Sequence, residues 1–82
     1  LVHGTFSEGQ SLVDGLRRSP DEGRALLAAW RARYDAVYVF DHPTLTVDPV
    51  VNAHELAHAL AHCSATVDLV AHSRGGLVAR WW

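Results

Sequence analysis

Thr66-Val67-Asp68-Leu69-Val70-Ala71-His72-Ser73-Arg74-Gly75-Gly76 is the stretch on which the reading of this chain turns. Residues 66–71 have the β-rich composition of a strand, and Leu77 to Trp82 have helical composition, so residues 72–76 read as a tight strand-to-helix turn. A serine that projects its hydroxyl from such a turn takes a strained backbone conformation, and side chains two positions to either side of it would collide. Ala71 and Gly75 are small enough to avoid that collision. The Arg74 N–H and the positive end of the following helix then point toward the spot where an oxyanion would form beside Ser73. The plainer reading of the same serine is an ordinary helix N-cap.

Upstream of this turn, Asp48 and Pro49 form a cap-and-proline start for a helix that runs through Val51, Leu56 and Leu60 to about His62. Ala36-Val37-Tyr38-Val39-Phe40 has no polar interruption, the pattern of a strand covered on both faces, and Asp41-His42-Pro43 turns the chain after it. Ser19, Pro20 and Glu22 match a capping box for a helix whose buried face is Leu26, Leu27, Trp30 and Tyr34. Residues 5–18 read as a long loop with one short helical turn near Leu12 to Leu16. Leu1-Val2 reads as the tail of a strand that enters a loop at His3-Gly4. Strands alternating with helices predict an α/β fold: three layers, α/β/α, around a parallel sheet of three strands with right-handed crossovers.

The chain has 82 residues, 49% hydrophobic and 20% charged, which places it with globular proteins and allows one domain, residues 1–82. A chain of this length buries only about 60% of its unfolded surface, so its core is small. The absence of Met and the start at Leu1-Val2 suggest a piece of a longer polypeptide. Net charge is −2 and every basic residue is Arg, with no basic stripe for nucleic acid. No apolar run reaches the roughly 18 residues of a membrane span. Cys63 has no cysteine partner for a disulfide or a metal cage, which tilts the compartment toward the cytoplasm.

Two segments carry a family resemblance. Leu1-Val2-His3-Gly4-Thr5 resembles the oxyanion loop of α/β-hydrolases of the lipase type, and Ala71-His72-Ser73-Arg74-Gly75-Gly76-Leu77-Val78-Ala79-Arg80 resembles their nucleophile elbow and following helix. Ala71 replaces the usual first glycine, as in bacterial lipases with an Ala-His-Ser elbow. The resemblance covers essentially the whole chain. It implies the N-terminal part of a single α/β-hydrolase domain, a partial core with three strands. It also implies a serine esterase or lipase-like enzyme that cleaves a small-molecule or lipid carboxylic ester through an acyl-enzyme, without cofactor. Ser73 is then the nucleophile and the backbone N–H groups of Thr5 and Arg74 form the oxyanion hole. In that family the acid and base follow the nucleophile, so neither His3 nor His72 takes the role of base and both partners lie outside these residues. The 82 residues alone are then expected to be inactive. The alternative within this resemblance is a catalytically inactive hydrolase-like module that binds or regulates.

A competing motif is His54-Glu55-Leu56-Ala57-His58, the H-E-x-x-H pattern in which two histidines bind zinc and the glutamate acts as base. His62 extends the ladder, but no glycine follows at the spacing of the longer metalloprotease motif. A helical wheel places these side chains on the flank of the apolar arc, where a solvated face is the simpler reading and adventitious metal binding the next. Trp30, Tyr34, Tyr38 and Phe40 read as core or sheet-face aromatics before ligand-stacking ones, and Asp41 as a turn former, with a site-shaping role at the active edge as its alternative. Trp81 and Trp82 are expected to be exposed in this chain.

Overall fold

The computed structural model describes residues 1–82 and contains four helices: α1 (Gly9–Arg18), α2 (Glu22–Arg33), α3 (Pro49–Ala59) and α4 (Gly75–Trp81). Helix α3 starts where local chemistry dictates. Asp48 is extended (φ −64°, ψ 143°), its Oδ1 accepts from the Val50 N–H at 2.8 Å, and Pro49 occupies the first turn. The cap satisfies one of the helix's orphan donors and the proline has no N–H to leave unpaired. The helix ends at Ala59, before the expected His62, because Leu60 leaves helical geometry (ψ 0°) and residues 61–63 close with tight turns.

Helix α1 replaces the long loop expected over residues 5–18. Leu12, Val13 and Leu16 give it a half-buried side, and Gln10 Nε2 donates to Asp14 Oδ1 at 2.9 Å, an i,i+4 pair. Arg17 and Arg18 sit in its last turn, where positive charge opposes the helix dipole. Because α1 continues to Arg18, the Ser19 N–H closes that helix on Gly15 O, and Ser19 does not cap α2. The expected Ser-Pro-x-Glu capping box is therefore absent. Asp21 precedes α2 without a side-chain cap hydrogen bond.

The predicted three-layer α/β/α fold, with a parallel sheet and a partial α/β-hydrolase core of three strands, is overturned. The chain forms no sheet, and about half of it is helical. Its β-type contacts are two isolated parallel bridges, Val2 with Phe40 and Val2 with Ala71. The hydrogen bonds are Phe40 N–H to Leu1 O (2.9 Å), Val2 N–H to Val70 O (2.9 Å) and His72 N–H to Val2 O (3.0 Å). A ladder needs consecutive paired residues. The shared central segment has only Leu1 to His3 before Gly4 turns away, so the flanking segments meet it at one residue each. Residues 36–40 are not covered on both faces either: Val37, Tyr38 and Val39 are exposed. Tyr38 is thus a surface aromatic, contrary to its reading as a sheet-face residue.

Neighbouring residues of extended backbone point to opposite sides. Leu1 borders a cavity shared with Val13 of α1, Leu27 of α2 and Val39. Val2 is fully buried in a core with Ala53 and Leu56 of α3 and Val78 of α4, against which Phe40, Leu60 and Leu69 pack. Tyr34 Oη donates to Asp68 Oδ2 at 2.5 Å and ties the end of α2 to the segment before Ser73. Trp81 and Trp82 are exposed. No helix is long and apolar enough to cross a membrane.

Candidate functional site

Ser73 lies between the Ala71 bridge and α4, and its backbone is left-handed, φ 54°. For a residue with a Cβ this costs energy unless the surroundings enforce it. Two glycines do so. A methyl group on Gly75 would run into the carbonyl oxygen of Val2 and lie 2.8 Å from that of His3, so only glycine lets α4 start against the 2–3 backbone. A methyl on Gly4 would stand 2.8 Å from Ser73 Cβ and 3.2 Å from His72 Nδ1. The small residue two places after the serine is therefore required by contact with the N-terminal segment, whereas the sequence reading assigned it to a clash across the turn.

Ser73 is exposed, and its hydroxyl has no hydrogen-bond partner in the chain. The backbone N–H groups of Thr5 and Arg74 also donate to nothing in the chain. Thr5 follows Gly4, which abuts Ser73, so the N-terminal loop and the serine turn are brought together. Helix α4 has seven residues, so its dipole is small, and the Arg74 N–H itself is the useful donor. The Arg74 side chain is turned away: Nη2 donates to Val47 O and fastens the loop before α3. His72 is exposed and pairs with Val2 through its backbone.

A second group of residues lies beside this turn; the sequence names His3 and the Asp41-His42-Pro43 turn separately but does not bring them together. His3 is buried, with Nδ1 2.9 Å from Gly4 O, while Nε2 accepts from the His42 N–H at 3.3 Å. Its Nε2 also lies 3.3 Å from Asp41 Oδ1. His42 stacks between His3 (centroids 4.3 Å apart) and Phe40 (5.5 Å), and both its ring nitrogens are buried without a partner. Burial, and then the neighbouring His3, hold its pKa below the usual histidine value. Asp41 Oδ1 accepts from the Gly9 N–H at 2.6 Å and so holds the first residue of α1, a role beyond the turn former expected. Asn52 is fully buried and donates through Nδ2 to Pro43 O at 2.9 Å. The signal available in the sequence was Asp41-His42-Pro43 at the end of an apolar run.

The H-E-x-x-H residues His54, Glu55 and His58 are all exposed on α3. No group of three or more His, Cys, Asp or Glu side chains is placed to hold a metal ion. Cys63 is exposed and unpaired.

These features define a small helical domain with an exposed, strained serine beside two unpaired backbone donors. The chain belongs to the family described as Domain of unknown function (DUF7379), whose model matches residues 1–82. Neither the curated proteins nor the solved structures contain a match to it.

Proposed function

We propose that this domain carries the nucleophile end of a serine esterase site. The observation that supports the reading above all is Ser73 itself, exposed at φ 54° and pressed against Gly4. A hydrogen-bonding N-cap serine needs no left-handed backbone, whereas a serine lifted off a tight turn does. The likeness of residues 71–80 to the nucleophile elbow of lipase-type hydrolases supports the same chemistry.

In this reading Ser73 Oγ attacks the carbonyl carbon of a small-molecule or lipid ester. The carbonyl oxygen becomes an oxyanion that receives the N–H groups of Thr5 and Arg74, a donor of this kind being worth about 2.7–4 kcal/mol. A general base takes the hydroxyl proton and returns it to the departing alkoxide, leaving an acyl-serine that water then hydrolyses. In the lipase-type hydrolases that residues 71–80 resemble, the acid and base follow the nucleophile in chain order, and the chemistry needs no cofactor. The test is covalent labelling of the full-length protein by a fluorophosphonate, compared with a folded Ser73→Ala variant. Labelling lost in the variant supports the nucleophile. A full-length protein whose Ser73 stays unlabelled is a non-catalytic module.

A further inference from the structure

An open cleft is lined by His3, Ser7, Glu8, Asp41, His42 and Pro43, none of them a large apolar side chain. His3 forms one wall, and the next residue, Gly4, abuts Ser73. Resting on the esterase reading above, we propose that this cleft receives part of the substrate. The part it receives carries hydrogen-bond donors, a hydroxyl or an ammonium group, and is not a long alkyl chain.

The chemistry of the walls carries the inference. Glu8 and Asp41 are exposed carboxylates, which ionised can only accept hydrogen bonds. The Glu8 side chain makes no cap hydrogen bond to α1 and is free to accept from a ligand. His42 adds a demand of a different kind. The residue is 7% exposed and is one of those that line the cleft, and both its ring nitrogens are buried without a protein partner. Buried polar atoms are nearly always hydrogen-bonded, so an orphaned ring at the edge of a cleft marks a place where something else supplies the bonds. A neutral imidazole has one donor and one acceptor, and a hydroxyl answers both. An ammonium answers the acceptor and the two carboxylates. Methylene groups answer none of them and would strip water from the carboxylates without compensation.

Three fluorophosphonates of equal chain length, ending in a trimethylene-ammonium, a vicinal diol or a plain alkyl tail, are reacted with the full-length protein and with Glu8→Gln. Glu8 is exposed and its side chain caps nothing, so the variant keeps the fold, checked by circular dichroism. The expected result is Ser73 labelling faster by about tenfold or more for a donor-bearing probe than for the alkyl probe. If the ammonium is the favoured donor, Glu8→Gln lowers its rate to that of the diol. If the hydroxyl is favoured, Glu8→Gln leaves the ammonium probe behind the diol and preserves the diol's lead over alkyl. Alkyl labelling as fast as the others, with Ser73 still modified, overturns the cleft assignment and leaves the esterase standing. An ammonium preference untouched by Glu8→Gln also overturns it. No labelling by any probe overturns the esterase reading and this inference together.

Discussion

Gly4 and Ser73 touch so closely that a methyl on the glycine would stand 2.8 Å from the serine's own Cβ. Residues far apart in sequence thus hold the serine turn from outside, and its left-handed backbone is a tertiary product as much as a local one. Four consequences can be measured.

Strain at Ser73 should be separable from its chemistry. Ser73→Gly accepts φ 54° without a Cβ penalty and is expected to stabilise the domain by about 0.5–1 kcal/mol, while abolishing fluorophosphonate labelling. Chemical denaturation and labelling on one protein preparation check both. A destabilised Ser73→Gly would mean that the hydroxyl contributes to folding.

The two glycines after Arg74 should respond in opposite directions. Gly75→Ala drives a methyl into the Val2 and His3 carbonyls and is expected to cost about 1–3 kcal/mol. Gly76→Ala meets nothing within 4 Å and should gain about 0.5–1 kcal/mol from helix propensity. Urea midpoints for the pair decide it, and equal shifts would contradict the packing of α4.

Removing the α3 cap by Asp48→Ala should cost about 1 kcal/mol, and Asp48→Asn should recover most of it. Thermal melts of the three proteins give the comparison.

His42 makes stability depend on pH. Its folded pKa is lowered, first by burial and then by His3, so below its ordinary value near 6.5 the unfolded chain binds the proton more readily than the fold. Its contribution is whole above that value and is lost as pH falls through it toward the lowered folded pKa. Melting temperature should therefore drop between pH 7.5 and pH 5.5. His42→Phe, which keeps the stack between His3 and Phe40, should flatten that drop. An unchanged pH slope in the variant would assign the effect to other groups.

What the sequence discloses here depends on how far away the cause lies. Asp48-Pro49 start α3 through contacts within three residues, and that start is read correctly. The β-rich composition of residues 36–40 and 66–71 is also plain. Pairing, however, belongs to the partner, and a partner reduced to Leu1-Val2-His3 admits single bridges where a sheet was expected. Helix α1 stayed hidden because Gly9 and Gly15 weaken its pattern and its first N–H is held by Asp41, a carboxylate 32 positions downstream. At the candidate site, a strained turn at Ser73 is legible from its place between an apolar run and a helix, but the reason for Gly75, contact with the Val2 and His3 carbonyls, lies outside the turn. The stacked His3 and His42 are not legible, since only the folded chain brings those rings together.

Val2 touches both flanking segments and is also the fully buried centre of the packing with α3 and α4. Its amide and that of His72 should therefore be among the slowest in the domain to exchange with deuterated solvent, because no partial opening reaches them. A shortened side chain at position 2 would release the Phe40 and Ala71 segments in the same event. The domain then loses its serine turn and its small core together, in one cooperative step.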